Sequence, residues 1–451
     1  MTEQSSPTAG AALPAAVHRG GQADVHAVPA ADAEGLTVGS HAGPPGFRAI
    51  AAVSRGREAG TMAGGKVKRR TTVSALVALA ATAALAGCDA SGGGPAASAP
   101  RSSAPSSPAA PGTPEGSSGT PRTPEGVLLV SDFGADTVTF VDPSRQGARA
   151  RLGSVEVGTA PYGIALGEDG TAWVATAEGV AAVDTGARKR TALIPYVTDS
   201  GPVTTGEYRG GGMGIALSPD GERVYVGVNV PGGNGVLEVI DTGRREVVAT
   251  VPVGRRPFDV DVSRDGRQVY ATGHDSFDVT VVDTDDRFDS RRIEVAPYGT
   301  EGGLGSWLKP HYTAVRPSDG ALLLPFEGER LAVVDPDTGK VRVERMTADT
   351  HQHGAAVADD GTLYVVGTGP IDPSEDNGPS LTVRTPGGRE SVIPLDGPHE
   401  DVAVSADGRT AYVSGGFTRD GYWNGISVVD TATGDVTRLP VGVRPLGIVV
   451  L

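Results

Sequence analysis

From residue 126 onward the dipeptide Asp-Gly returns at near-regular intervals: Asp169-Gly170, Asp220-Gly221, Asp265-Gly266, Asp319-Gly320, Asp360-Gly361 and Asp407-Gly408. The intervals are 51, 45, 54, 41 and 47 residues. Each Asp-Gly separates two apolar segments, such as Met213-Gly-Ile-Ala-Leu217 before and Val224-Tyr-Val226 after. Asp-Gly between alternating apolar runs is the strongest short hairpin signal. A third run follows each hairpin, often ending in apolar-Asp (Val183-Asp184, Ile240-Asp241, Val334-Asp335), and a fourth alternates, as in Val247-Val-Ala-Thr-Val-Pro-Val253. Four short strands per 40–50 residues, with no long helical pattern, describe the blade of a β-propeller.

Counting the first strand of each unit gives seven, starting near Pro161, Met213, Pro257, His311, His353, His399 and Pro445. The chain enters this region at Val127 without such a strand and ends on Pro445-Leu-Gly-Ile-Val-Val-Leu451, which is one. The expectation is therefore all-β, a seven-bladed propeller over 126–451, whose two ends complete one composite blade and leave no open sheet edge. The phrases Ser218-Pro-Asp-Gly and Val239-Ile-Asp-Thr-Gly243 resemble the YVTN family of propeller repeats, over about residues 126–451. That resemblance implies the fold and is nearly silent on function.

The segment before the repeats reads as address and tether. Residues 1–61 are rich in Ala, Gly, Pro and Ser and carry no sustained period, so they are expected to be disordered. Lys66, Lys68, Arg69 and Arg70 then precede an apolar run, Val73–Leu85, and the run ends Leu85-Ala86-Gly87-Cys88. A basic start, a short apolar stretch and small residues make a secretory signal over 62–87, with Met62 as the expected translation start and either the general or the twin-arginine route open to it. The last four residues match the bacterial lipobox, which implies cleavage before Cys88, a diacylglycerol on its sulfur and an extracytoplasmic, membrane-anchored bacterial lipoprotein. Cys88 is the only cysteine, so the fold has no internal disulfide. Residues 88–125, nearly all Ser, Pro, Gly, Ala and Thr, form a flexible linker. The net charge of -15 argues against a nucleic-acid partner, and the domain is expected to be monomeric.

The chemistry concentrates in histidine. Three of the five histidines in the repeat region, His311, His353 and His399, open successive innermost strands, which ring the central channel at one face. His351 adjoins them, and His274 falls in a loop between second and third strands that opens on the same face. Neutral imidazole is a common ligand of zinc and copper, and three histidines with a carboxylate or water make a familiar zinc shell. Glu400 and Asp401 adjoin His399, while Glu327 and Glu329 lie in the loop beside His311. The candidate metal residues are thus His274, His311, His351, His353, His399 and Glu400, with Zn2+ as the cofactor and release by protonation at mildly acidic pH. The other reading has these rings hydrogen-bonding to backbone around a water-filled channel.

The run Lys309-Pro-His311, Pro325-Phe-Glu-Gly328, His353-Gly-Ala-Ala-Val357 and Gly397-Pro-His399-Glu400 resembles periplasmic zinc-metallochaperone propellers that serve ABC-type zinc importers. The resemblance implies zinc carriage, with a metal importer or its binding protein as partner. The chain departs from that group in lacking a His-rich acidic loop and a cysteine in the domain. Two other functions stay open: a protein- or glycan-binding scaffold without metal, and a lactonase-like hydrolase. No carboxylate and amide set in channel register marks a catalytic Ca2+ site for the hydrolase. Tyr422 and Trp423, in the 417–424 loop, are a contact surface or a loop anchor.

Overall fold

The structure is a computed structural model and describes residues 126–285, 287–295, 309–326, 328–369, 378–416 and 421–451. The signal segment, Cys88, the linker, Glu327 and the first part of the 417–424 loop lie outside the described residues.

Among the described residues, twenty-eight strands form seven four-stranded antiparallel sheets. Blade 1 holds β4 (Ile164–Leu166) to β7 (Lys189–Pro195), and blade 2 holds β8 (Gly211–Leu217) to β11 (Glu246–Pro252). Blade 3 runs from β12 (Pro257–Val262) through β13 (Gln268–Gly273) and β14 (Asp278–Asp283) to β15 (Ser290–Glu294). Blade 4 runs from β16 (Ala314–Val315) to β19 (Val341–Thr350), and blade 5 from β20 (Gln352–Val357) to β23 (Glu390–Pro394). Blade 6 runs from β24 (Val402–Val404) through β26 (Gly425–Asp430) to β27 (Val436–Leu439). Blade 7 is composite: β28 (Pro445–Val450) pairs with β1 (Leu128–Asp132), followed by β2 (Thr137–Val141) and β3 (Arg151–Glu156). The sevenfold count and the closure by the two chain ends are as the repeat implies.

The local chemistry of the repeat explains the hairpins. The glycines of all six Asp-Gly pairs sit at φ between 69° and 84°, a region costly for residues with a Cβ. In each pair the aspartate Oδ1 accepts the backbone N–H two residues on, at 2.8–3.2 Å. Such Asx turns set the register of the first two strands of each blade. Middle strands are buried on both faces (β14 and β17, Leu322–Phe326, for example), whereas outermost strands such as β11 alternate between exposed and covered positions. Apolar side chains from facing blades then interlock. Val224, Val226 and Ile240 meet Trp173 and Ala182 between blades 1 and 2, and Leu128, Val130 and Ile448 meet Tyr412 and Ile426 between blades 6 and 7.

One detail differs from the sequence expectation. In blades 1, 4 and 6 regular innermost pairing begins three residues later than expected, at Ile164, Ala314 and Val402. In blades 2, 3 and 5 the ladder is interrupted by register shifts near Gly212, Pro257 and Gln352. The strand starts leave the ladder because they turn toward the axis, where side chains from different blades meet. Gly354 allows this between blades 5 and 6: a Cβ there would lie 2.6 Å from Asp401 Cα, and its N–H donates to Glu400 O at 2.9 Å.

Deletion of Pro445–Leu451 removes the whole of β28, with buried Leu446 and Ile448, and strips β1 of its partner. Two such side chains contribute roughly 3–6 kcal/mol, against total domain stabilities of about 5–15 kcal/mol. The truncated protein is expected to be insoluble or to melt far below the full chain. A truncated domain with the parent melting temperature would contradict the closed ring.

Candidate metal centre

The axis is plugged by an aromatic layer. Tyr162, Met213, Phe258, Tyr312 and Leu446 are buried together, one from the innermost segment of each of five blades. Phe258 stands edge-on to Tyr162 and Tyr312, at centroid separations of 5.6 and 5.4 Å. On one side of this layer the channel widens into a cavity of about 180 Å³ lined in part by Asp259, Asp261 and Asp401. Burial raises all three carboxyls, Asp259 to about 6 and Asp401 to about 7.

The histidines also gather around the plug. Phe258 stacks on His274 (5.4 Å) and meets the edges of His311 (5.1 Å) and His353 (6.4 Å). His274 begins the turn between β13 and β14, in blade 3. His311 precedes β16 in blade 4, beside Pro310, which bridges to Phe326. His351 and His353 come from the start of blade 5, where the His351 backbone is fixed to Thr368 and Gly369. No more than 3% of any of these four residues is exposed.

Their ring nitrogens converge. Nε2 of His274 lies 3.1 Å from Nε2 of His311, and Nε2 of His351 lies 3.2 Å from Nε2 of His353. One nitrogen from each of His311, His351 and His353 falls within 4.8 Å of the others. Four nitrogens around one zinc at about 2.0–2.1 Å would stand about 3.3 Å apart along each edge of the tetrahedron. The two close pairs approach that edge; His311, His351 and His353 form the mutually close set, and His274 reaches it through His311. Among the described residues His311 Nδ1 is buried without a hydrogen-bond partner.

Carboxylates stand behind two of the rings. His274 Nδ1 is 2.9 Å from Asp275 Oδ1, so the tautomer protonated at Nδ1 donates to the carboxylate and turns the Nε2 lone pair inward. His353 Nδ1 is 3.3 Å from Glu400 Oε2, and Glu400 Oε1 accepts the Tyr312 hydroxyl at 3.1 Å. Carboxylate-backed imidazole is the common outer arrangement of metal-ligating histidine. Glu400 thus stands behind His353 rather than among the converging nitrogens. Asp275 is itself held by Arg256 (2.9 Å) and Lys309 (2.8 Å).

His399 stands apart from this group. Its Nδ1 donates to Gly397 O at 2.7 Å, and its Nε2 accepts from Ser427 Oγ at 2.8 Å, so both nitrogens are engaged within blade 6. The reason is side-chain alternation along an extended chain. Tyr162, Met213, Phe258, Tyr312, His353 and Glu400 each stand seven residues before the aspartate of their Asp-Gly turn and form the inward layer. His399 stands eight before, so Glu400 takes the inward place in blade 6. His311 also stands eight before, yet joins the group beside His274, 3.1 Å from its Nε2. Asp275 and Lys309 carry only weak sequence signals, their adjacency to His274 and to the Lys-Pro-His run. Trp423 packs over Gly415 and Gly425, stacks under Arg438 (4.0 Å) and meets the His399 ring edge, which anchors the loop, while Tyr422 is exposed.

No family model matches the chain, and no curated protein matches it. Among solved structures, a protein from Lactobacillus plantarum is similar with 16% identity, covering 72% of this chain and 99% of that one, at a TM-score of 0.52. Hydrazine synthase of Kuenenia stuttgartiensis (18% identity, 64% and 89% covered, TM-score 0.49) and a catalytically inactive virginiamycin B lyase from Staphylococcus aureus with quinupristin (16%, 71% and 91%, 0.48) are also similar. At 16% identity the likeness to the Lactobacillus plantarum protein is one of fold alone.

Burial against the aromatic layer holds His274 down to about 4 and His311 well below the ordinary imidazole value, and burial likewise holds His399 at about 4. His274 and His399 are therefore neutral in the folded protein between the unfolded value of 6.5 and about 4, where the unfolded chain takes up their protons. Each contributes stability that is present above pH 6.5 and is lost as pH falls toward 4. In an NMR titration the ring resonances of His274 and His399 are expected to stay unshifted from pH 8 to about 5. Midpoints near 6.5 would contradict the desolvated site.

Proposed function

We propose that the chain is an extracytoplasmic, lipid-anchored propeller that carries a transition-metal ion, zinc first, on His274, His311, His351 and His353. The observation that carries the reading is the convergence of three buried imidazoles, His311, His351 and His353, within 4.8 Å of one another, with His274 3.1 Å from His311. An all-nitrogen set suits Zn2+ and Cu2+ and discriminates against Ca2+ and Mg2+, which need oxygen. The lipobox resemblance supplies the location and the metallochaperone resemblance the partner class, a metal importer or its binding protein. The role needs no reaction: the ion is the cargo, and the rings bind and release it.

A metal-free scaffold is the second reading, favoured by exposed Val197, Val203, Tyr208, Tyr422 and Val443 in loops between strands. Metal uptake separates the two. Protein purified without a His tag is expected to bind one zinc per chain at micromolar concentration. A hundredfold excess over Kd should stabilise it by about 2.7 kcal/mol. His311→Ala and His353→Ala should each abolish most of that shift, and His399→Ala should leave zinc affinity within about twofold. Because burial already disfavours protonation of His274 and His311, binding should persist at pH 5.5, below the range in which exposed imidazoles would release the ion. A wild-type protein that takes up no zinc in calorimetric titration would leave the scaffold reading in its place.

The tether is tested separately. Cys88→Ser should move the protein from the detergent-soluble membrane fraction into the medium. A variant that stays membrane-bound would place the anchor elsewhere.

A further inference from the structure

The outer layer of the histidine cluster carries two cations, both on the His274 side, against Asp275 there and Glu400 behind His353. Behind His274 stands one carboxylate, Asp275, and two cations share it. Lys309 Nζ meets Oδ1 at 2.8 Å, the same oxygen that faces His274 Nδ1 at 2.9 Å. Arg256 Nη2 meets Oδ2 at 2.9 Å, and its Nη1 lies 3.3 Å from His274 Nδ1 itself. The three charged side chains are only 14–17% exposed, so salt and water screen them weakly. The Arg256 guanidinium is further fixed over the Tyr208 ring, 3.8 Å from its centroid.

We propose that Lys309, with Arg256, is an affinity-setting device that weakens the hold of the four histidines on their ion and so makes the cargo transferable. The inference rests on the metal-carrying reading of the cluster. A lone carboxylate behind a metal-bound histidine strengthens the ligand by drawing on its N–H. Here Asp275 still favours positive charge on His274, but the two cations that share the carboxylate act against it. Positive charge at the cluster is disfavoured first by burial; at His274 Asp275 works the other way, and Arg256 and Lys309 oppose it, Lys309 acting also at His311. A divalent ion there meets the same repulsion with twice the charge. Lys309 also lies two residues before His311, so the device and the ligand share one short segment.

The charge account and a purely orienting role make opposite forecasts. If Lys309 only steadies Asp275, removing it loosens His274 and weakens binding. If its charge opposes the ion, removing it tightens binding. The test is competition between the full chain in detergent and a chromophoric chelator for Zn2+, with chelator-driven release followed by stopped flow. Lys309→Met is expected to lower Kd by about tenfold or more and to slow release by a similar factor. Lys309→Gln should act in the same direction, and Lys309→Arg, which keeps the charge, should stay near wild type. Asp275→Asn, which leaves two cations facing the site, should raise Kd by about 10–100-fold. Unchanged or weaker binding in both Lys309→Met and Lys309→Gln, with wild type still taking up one Zn2+, would overturn this inference and leave the metal-carrying reading standing. A wild type that binds no Zn2+ would overturn both.

Discussion

The pairing of β28 with β1 joins the last seven residues of the chain to the first described strand, with Leu128 opposite Val450 and Val130 opposite Ile448. Everything on the axis depends on that closure. Seven sheets packed face to face hold one another at the spacing that brings side chains from different blades to the centre, and a gap in the ring would relax them all. Leu446, on β28, is part of the aromatic plug, so the residue that closes the ring also helps to floor the histidine cluster.

The plug in turn decides the chemistry of the rings above it. Imidazoles packed on Phe258 and screened from water lose the stabilisation that hydration gives their protonated form, so they remain neutral where exposed histidine would be charged. Neutral rings keep their lone pairs. When carboxylates hold the outer nitrogens of His274 and His353, the inner ones point the same way, and a set of hydrogen-bonded rings becomes a ligand set in waiting. Fold, floor and cluster thus form one causal series, and the proposed cargo role stands at its end.

Much of this was legible before any coordinates. The Asp-Gly hairpins needed glycine at positive φ and an aspartate able to cap its own turn, and both demands are local enough to be written in the sequence. The seven blades and the composite one followed by counting. The site was read less well, because which residue of an irregular strand start faces the axis is a property of the ring. A shift of one residue separates His399, bonded within its own blade, from Glu400, which reaches the channel. The seven-residue offset to the turn aspartate carried that distinction all along. The Lys309–Asp275–Arg256 clamp was illegible for another reason: it joins residues from two blades whose meeting only the packed structure sets.

Zinc K-edge X-ray absorption on the zinc-loaded protein tests the central claim most directly, because it counts the rings around the ion. The account requires four nitrogen neighbours at about 2.0 Å, with the multiple-scattering pattern of imidazole, reduced to three in His274→Ala. A first shell dominated by oxygen, or one unaltered when His274, His311 or His353 is removed, would contradict it.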